Sequence, residues 1–407
     1  MGNSKKNKKK TRAKREINRK TIITGISVLA GIILIVASVI CVRVVNKRRA
    51  DRTVRIAFYG LDDNYVDILK SKIPVEEDVI LKVDILPKDN LDSAALISNY
   101  DMLFTWRGEL TDALHDTAES IPSKILETMP RSFRDKKCVP IFLDHYEIAY
   151  NQDVLKKTAL SVPETFSEFD AFLKAVRGVV FSPFFCNGSD DRSFIDFIGA
   201  IVMANAGLSG YNKLIDGLRK AESLNDVLNL DLDGKGYTLN TIIEMLKKWP
   251  KDGYTHPSWY NGNQTDLVFF ATDKQLACFF TSLSEHRKIA YNVVRNYESS
   301  FVPMNQPPEN YGLIAPAVSC MLLSDNSNCK RYLGEFFTED AQSELSNMTN
   351  LAPVHYTATA DDIQADDVRF WAASCAGGAV PDLYLAVYQR DAARLHSICS
   401  EIKAILR

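Results

Sequence analysis

The sequence lacks the short motifs that accompany most nucleotide, metal and hydrolase chemistry. It has no GxGxxG loop, no GxxxxGK followed by Ser or Thr, no HExxH and no GxSxG. Its six histidines include no i, i+4 pair that could share a metal ion on one helix face, and its eight cysteines include no CxxC. We therefore expect a protein that is not an enzyme and holds no metal or cofactor.

Two local patterns come closest to a chemical site. Asn229–Asn240 partly matches a calcium-binding loop, but Asn240 stands where such a loop needs a bidentate Glu, so we interpret the segment as a polar turn. Asp144 and His145 are the nearest candidate for an acid–base pair. Because adjacent side chains rarely act together, this pair does not indicate catalysis.

Positive charge is scarce outside the N-terminus. Residues 1–52 hold 15 Lys and Arg against 2 acidic residues, whereas the remaining 355 residues carry a net charge of −15. Such an acidic body argues against a nucleic-acid partner, which needs a basic surface. A hydrophobic fraction of 46% rules out global disorder. Since 355 residues exceed what one core usually fills, two lobes are expected.

An uncharged stretch of 22 residues, Thr21–Val42, follows a basic tail at 1–20. At about 1.5 Å per helical residue, it is long enough to cross a hydrocarbon core of about 30 Å. A cleaved signal peptide would have a shorter apolar run and a small-residue cleavage site, and a lipoprotein site at Cys41 would need a small residue where Ile40 stands. The sequence therefore favours an uncleaved transmembrane anchor at 21–45.

The basic residues also predict the orientation of this anchor. Ten Lys and Arg precede the span and five follow it closely, and the more basic flank usually stays in the cytoplasm. We therefore expect a cytoplasmic tail at 1–20 that contacts anionic lipid, a juxtamembrane linker at 46–52, and a body on the periplasmic or extracellular side of the cell membrane.

The body begins with alternating strands and helices. Apolar runs at Val54–Tyr59, Val79–Leu86 and Tyr100–Trp106 predict three strands, with helical patterns between them. This order indicates a parallel sheet with helices on its faces, in which ligands bind beyond the carboxyl ends of the strands. Two of those ends are Tyr59–Asp62 and Trp106–Gly108.

Aromatic residues concentrate at predicted strand ends and loops. Phe184 and Phe185, for example, follow a predicted strand at Gly178–Phe181. Flat rings cover the apolar faces of a sugar while neighbouring polar groups bond its hydroxyls, so the grouping favours a saccharide site. Packing of these rings in the core or at a hinge is the alternative. The rings are Phe58, Tyr59, Trp106, Tyr146, Phe184, Phe185, Trp259 and Tyr260.

The most specific stretch lies at Pro140–Val176. It contains Tyr-Asn-Gln-Asp at 150–153 and Val-Pro-Glu-Thr-Phe-Ser-Glu-Phe at 162–169, whose Thr and second Glu also form a capping box for a helix. These patterns resemble the signature of the extracellular solute-binding proteins of ABC importers, in the family that holds the maltose- and oligosaccharide-binding proteins. Weaker similarities follow in that family's order at Phe270–Phe280, Phe301–Pro303, Tyr311–Leu313 and Phe337–His355.

The resemblance implies an α/β, two-lobed fold like that of periplasmic binding proteins, with hinge strands that cross between the lobes. Lobe one would comprise 53–147 and 298–337, and lobe two 148–297 and 338–407. A ligand would lie in the cleft between the lobes and favour a closed state. Carried over position by position, the ligand-binding residues would be Tyr59, Asp62, Trp106, Arg107, Asp144, His145, Phe184, Phe185, Trp259 and Tyr311.

The function implied by the resemblance is that of a membrane-tethered, monomeric binding protein. It would capture a small solute, a sugar or oligosaccharide, and deliver it to an ABC permease. Capture needs no covalent chemistry, in agreement with the missing catalytic motifs. The alternative is a sensor or adaptor that binds a solute and signals to a partner through the membrane helix, although the tail has no kinase, phosphatase or methyl-accepting pattern.

Overall fold

The structure, a computed structural model, describes residues 33, 36–42, 45, 52–87, 92–305 and 308–407. The tail expected at 1–20 and most of the expected anchor and linker lie outside the described residues. Residues 36–42 are helical. They belong to a compact unit that also contains Thr53 and Glu77–Ile80, and a second unit comprises Val54–Glu76 and Leu81–Arg407.

Among the described residues, one helix is long and apolar enough to cross a membrane, Asp191–Lys220. Most of it is covered by protein, since 78% of its most apolar window is buried. A helix that is apolar all round and buried is typical of the core of a large domain.

The strands of the body are numbered in chain order. They are β1 (Thr53–Tyr59), β2 (Ile80–Leu86), β3 (Met102–Trp106), β4 (Cys138–Leu143), β5 (Tyr146–Asn151), β6 (Ser182–Cys186), β7 (Leu276–Ser282), β8 (Tyr297–Phe301), β9 (Leu313–Ile314), β10 (Ala317–Leu322), β11 (Ala352–Pro353) and β12 (Ala379–Val380).

The helices of the body are numbered in the same way. They are α1 (Asp63–Ser71), α2 (Ser93–Asn99), α3 (Glu109–Leu114), α4 (Ser123–Leu126), α5 (Gln152–Thr158), α6 (Phe166–Val176), α7 (Asp191–Lys220), α8 (Asn225–Leu228), α9 (Leu239–Asp252), α10 (Gln264–Thr272), α11 (Leu283–Lys288), α12 (Tyr291–Val294), α13 (Ser327–Glu335), α14 (Glu339–Thr349), α15 (Ile363–Ser374), α16 (Leu383–Val387) and α17 (Ala392–Leu406).

A six-stranded sheet has the order β11-β4-β10-β3-β1-β2. β1 and β3 run parallel, with Phe58 beside Phe104, whereas β10 pairs antiparallel with both β3 and β4. All five residues of β3 are buried, which explains why its sequence is a continuous apolar run. The strands predicted at 54–59 and 100–106 are confirmed.

A four-stranded sheet has the order β6-β7-β5-β8. β6 runs parallel to β7, and β5 is antiparallel to both β7 and β8. Helix α6 covers this sheet and begins at the predicted capping box: the Glu168 amide donates to the Thr165 hydroxyl at 3.2 Å, and the Thr165 amide donates to the Glu168 carboxylate at 3.1 Å. The strand predicted at 178–181 is wrong in position, because β6 begins four residues later, at Ser182.

The two sheets are connected directly where β4 passes into β5 through Asp144 and His145. Backbone hydrogen bonds fix both residues: the Asp144 amide donates to the Pro316 carbonyl at 2.8 Å, and the Leu283 amide donates to the His145 carbonyl at 2.9 Å. The connection is therefore tied to the segment before β10 and to the start of α11.

Two segments differ from the expected lobe boundaries. The expectation places residues from 298 in lobe one, but β8 pairs with β5 in the four-stranded sheet. It also places residues from 338 in lobe two, but β11 pairs with β4 in the six-stranded sheet, and Gln342 of α14 donates to the Ile141 carbonyl of β4 at 3.0 Å. The two C-terminal helices, α16 and α17, pack against α7 on the side of the four-stranded sheet.

Candidate functional site

A cavity of about 350 Å³ opens between the ends of the two sheets. One wall comes from the carboxyl ends of β1 and β3. The opposite wall comes from the end of β7, from α11 and from the start of α7, and the β4–β5 connection contributes Asp144 and Tyr146. The cavity therefore lies beyond the carboxyl ends of parallel strands, where the alternating pattern predicts a ligand.

The wall of the six-stranded sheet is aromatic. Tyr59, Tyr65 and Trp106 line it, and the rings of Tyr65 and Trp106 meet edge to face with centroids 6.0 Å apart. Gly60 follows β1 with φ at +67°, a backbone conformation that favours glycine, and so lets the chain turn away from the strand end. Asp62 lies just beyond this turn and is well exposed.

Asp144 is a buried carboxylate in the cavity lining. It accepts hydrogen bonds from the Ser284 hydroxyl at 2.5 Å, from the Ser284 amide at 3.1 Å and from the His145 amide at 2.8 Å. Burial raises the pKa of Asp144, and these hydrogen bonds together with the charge of His145 oppose that rise without cancelling it. The three bonds fix the carboxylate at the junction between the two sheets.

Arg192 stands in a cage of rings and carboxylates. Its guanidinium carbon lies 4.9 Å from the Tyr384 ring centroid and 5.9 Å from that of Trp106. Its Nη2 donates to Asp382 at 3.0 Å, and its Nε lies 3.7 Å from Asp196. Two carboxylates and two ring faces thus hold one cation, which fixes the direction of the guanidinium fork.

The carboxylates behind Arg192 are fully buried. The Tyr146 hydroxyl donates to Asp196 at 2.5 Å, and the Tyr384 amide donates to the other Asp196 oxygen at 2.9 Å. Burial and the nearby charge of Asp382 raise the pKa of Asp196 well above its ordinary value of 3.8, although Arg192 and the Tyr146 hydrogen bond act in the opposite direction. Folding therefore favours the protonated form of Asp196.

We expect Asp196→Asn to change how stability depends on pH. A raised pKa means that the folded chain binds a proton more tightly than the unfolded chain, so the contribution of Asp196 to the wild-type free energy of unfolding falls as pH rises above 3.8. Asn cannot ionise, so the variant should gain on the wild type as pH rises from 5 to 7, by up to about 1.4 kcal/mol per pH unit.

Urea denaturation at several pH values measures this difference. Asp216→Asn, an exposed position on the same helix, is the matched control and should follow the wild-type curve. Parallel curves for the wild type and Asp196→Asn would mean that Asp196 ionises normally in the fold.

Of the ten predicted site residues, four line this cavity: Tyr59, Asp62, Trp106 and Asp144. Arg107 is half-buried and lies 3.6 Å from Asp135, outside the lining. His145 is fully buried beside Asp144, with Nε2 3.5 Å from Glu147.

The remaining four predicted residues are also buried outside the cavity. Phe184 and Trp259 belong to the large core of the four-stranded sheet, as does Tyr311. Phe185 lies in a neighbouring hydrophobic cluster on the same sheet. Phe184, Phe185 and Trp259 also border a second cavity of about 290 Å³.

Several lining residues were not predicted from the sequence, among them Tyr65, Arg192, Tyr384 and Gln389. The sequence does mark Arg192: it directly follows Asp190 and Asp191, and no further basic residue occurs in the apolar helix until Lys213. Tyr384 and Gln389 lie beyond residue 355, where the family resemblance ends. Gln389 donates to the Trp106 carbonyl at 2.9 Å, so the C-terminal region supports the aromatic wall directly.

The arrangement suits binding by hydrogen bonds and ring contacts. Within the described parts of the chain, no group of three His, Cys, Asp or Glu side chains is placed to hold a metal ion. Asp144 and His145 do not form an acid–base pair at the cavity, because the imidazole lies against Glu147 instead.

Comparison with known proteins rests on structure. No protein-family model matches the sequence, and a search of curated proteins found no match. The putative binding protein MsmE from Bacillus subtilis is similar in structure, with a TM-score of 0.68 and 14% sequence identity over 87% of this chain and 92% of that chain.

Two further structures have the same fold. The bacterial solute receptor AcbH, described with a preference for β-D-galactopyranose, gives a TM-score of 0.63 at 12% identity over 87% of this chain and 98% of that chain. A sugar transporter from Bacillus licheniformis in complex with stachyose gives 0.56 at 12% identity, with the same coverage of both chains. The chain therefore has the mixed α/β fold of the solute-binding proteins, as its sequence resemblance predicts.

Proposed function

We propose that the chain is an extracytoplasmic solute-binding protein that captures a saccharide between its two sheets. The observation that carries the proposal is the composition of the cavity. Aromatic rings and polar side chains line it together, the combination that binds the faces and the hydroxyls of a sugar. A volume of about 350 Å³ falls in the lower part of the range for small-molecule sites.

The saccharide class is supported by the structural neighbours. AcbH is described with a preference for a galactopyranose, and the Bacillus licheniformis protein was solved with stachyose. At 12% sequence identity, these neighbours support a saccharide as the class of ligand. Which saccharide binds depends on the side chains that line the cavity of this chain.

The proposal includes closure of two lobes around the ligand. The lobes are the six-stranded and the four-stranded sheet with their helices, and the hinge contains the β4–β5 connection. Two ion pairs link α11 to segments on the side of the six-stranded sheet. Arg287 of α11 donates to Asp362, just before α15, at 2.5 and 3.0 Å, and Lys288 of α11 lies 3.7 Å from Asp62, just before α1. A ligand that contacts both walls would stabilise the closed arrangement by its differential affinity for it.

The proposal also includes the N-terminal anchor, a monomeric state and delivery of the solute to an ABC permease. An anchored binding protein stays close to its transporter, which raises the effective concentration of the loaded protein there. Recovery of the full chain with membranes after an alkaline wash tests the anchor. Release of the chain into the soluble fraction would contradict it.

Trp106→Leu tests the site. We expect the affinity for a bound saccharide to fall by about 1–3 kcal/mol, because leucine preserves an apolar contact with Tyr65 but lacks the flat ring. Calorimetric titration of the full chain with galactose, raffinose and stachyose gives the affinity. Tyr291→Leu, which removes a well-exposed ring outside the cavity lining, is the matched control. Equal affinity for the wild type and Trp106→Leu would exclude this cavity as the binding site.

A further inference from the structure

We propose that the cavity selects a saccharide that carries a positive charge, an amino sugar, over the neutral and acidic sugars of the same shape. The inference rests on the proposed function and specifies its ligand. Two observations support it: carboxylates outnumber basic side chains in the lining, and two aromatic rings of the site already hold the Arg192 guanidinium.

Carboxylates outnumber cations in the lining of the cavity. Asp62, Asp144, Asp190 and Glu285 line it, against Arg192 and Lys288. The excess of negative charge lies in a concave, partly enclosed site, where field lines concentrate and the attraction on a small cation is strongest. The same field opposes the entry of an anion.

Both cations already have carboxylate partners. Lys288 lies 2.7 Å from Glu285 and 3.7 Å from Asp62. Arg192 is paired with Asp382, a further carboxylate directly behind the cavity wall. An acidic ligand would therefore have to displace a carboxylate from Arg192 or Lys288. A cationic ligand would instead offset the excess negative charge of the lining.

Two of the lining carboxylates are accessible to a ligand. The Asp62 side chain is 62% exposed, and its contact with Lys288 is long for an ion pair. Asp190 caps α7 through one oxygen, which accepts from the Ser193 amide at 3.1 Å and from the Ser193 hydroxyl at 2.7 Å. Its other oxygen makes no hydrogen bond within the described residues, so it is available to an ammonium group.

The rings of the site favour positive charge as well. The faces of Trp106 and Tyr384 hold the Arg192 guanidinium, which is the arrangement that attracts a cation to the negative face of an aromatic ring. Tyr59 and Tyr65 extend this aromatic wall towards Asp62. A sugar ring lying on this wall would place an amino substituent close to a carboxylate while its hydroxyls meet the polar groups opposite.

Three sugars with one ring shape and different charge test the selectivity: galactosamine, galactose and galacturonate. Calorimetric titration of the full chain at pH 7 should give an affinity for galactosamine at least about tenfold above that for galactose, the scale of one charge-assisted hydrogen bond. The preference should shrink several-fold between 0.05 and 0.5 M salt, roughly as screening shortens the Debye length. Galacturonate should bind most weakly.

Two isosteric variants locate the effect. Asp190→Asn removes a charge and retains a good helix cap, and Asp62→Asn removes a charge at an exposed position. Each should weaken galactosamine binding several-fold more than it weakens galactose binding, since a neutral ligand gains less from either charge. Glu244→Gln, an exposed carboxylate on α9 outside the lining, is the matched control and should change neither affinity.

The outcomes separate this inference from the proposed function. Galactose binding as tightly as galactosamine, or galactosamine binding unchanged in both Asn variants, would overturn the charge preference and leave saccharide capture in place. Absence of binding by all three sugars and by raffinose and stachyose would overturn both.

Discussion

We expect Glu147→Ala to lower the free energy of unfolding by about 3–5 kcal/mol, among the largest effects of any single substitution in the body. Glu147 is the second residue of β5 and is fully buried. Its carboxylate oxygen Oε1 lies 2.6 Å from His286 Nδ1 and accepts from the Ser299 hydroxyl at 2.5 Å. Alanine would leave the buried His286 and the half-buried Ser299 without this acceptor and would also leave a cavity.

The position of Glu147 among residues from several segments adds to the expected loss of stability. His145 comes from the β4–β5 connection, His286 from α11 and Ser299 from β8, so Glu147 ties three segments together at the proposed hinge. Glu147→Gln is the conservative comparison, because its amide preserves the volume and one acceptor. We expect it to retain most of the stability that alanine loses.

The decrease in the free energy of unfolding caused by Glu147→Ala should also depend on pH. Burial raises the pKa of Glu147, but the His286 hydrogen bond and the charges of His145 and His286 outweigh it and leave the pKa below its ordinary value of 4.5. The stabilisation is therefore present above pH 4.5 and is lost as pH falls through the lowered pKa. Chemical denaturation from pH 3 to pH 7 should show the difference between the wild type and Glu147→Ala shrinking at low pH. A pH-independent loss would indicate that Glu147 acts through packing alone.

Phe184→Ala should lower the free energy of unfolding by about 3–5 kcal/mol without a direct effect on the cleft. Phe184 is 1% exposed. Its ring stacks on Phe197 at a centroid distance of 5.0 Å and meets Trp249 at 5.5 Å and Phe169 at 5.8 Å, so its removal leaves a void between β6, α6, α7 and α9.

Chemical denaturation measures this loss, and Phe269→Ala is the matched control. Phe269 is 61% exposed on α10, and its replacement should change stability by less than about 0.5 kcal/mol. A loss below about 1 kcal/mol for Phe184→Ala would contradict its assignment to the core and would reopen the sequence-based prediction that Phe184 contacts ligand.

The Phe184 prediction also shows where reasoning from the sequence fails. The predicted strand at 178–181 placed the rings of Phe184 and Phe185 beyond a strand end. β6 is instead an edge strand, and an edge strand tolerates proline because one side of its backbone has no strand partner. The strand therefore continues through Phe184 and Phe185, and their side chains enter the two faces of the sheet.

Local patterns predicted the elements that depend on neighbouring residues. The apolar runs of β1 and β3 and the capping box of α6 need only a few adjacent positions, and the structure confirms all three. The ends of β1 and β3 bring Tyr59, Asp62 and Trp106, three of the predicted ligand contacts, to the lining of one cavity. Parallel strands bring their carboxyl ends to one edge, so this step follows from the order of elements.

Long-range packing accounts for what the sequence did not predict. β11 has only two residues, too few for a periodic pattern, and it joins the six-stranded sheet because Gln342 and β4 hold it there. Tyr384 reaches the cavity from nearly two hundred residues beyond Arg192, and only the fold brings the two together. Spacing along a single sequence does not contain that information.

The central claim, capture of a saccharide in the cavity, is tested most directly by thermal unfolding of the full chain against a panel of compounds. The panel contains neutral, amino and acidic sugars, together with amino acids, peptides, polyamines and metal salts. A ligand at 100 times its dissociation constant should add about 2.7 kcal/mol of stability. We expect stabilisation by one or more saccharides, with an amino sugar among the strongest. Stabilisation by a non-sugar alone, or by no compound in the panel, would contradict it.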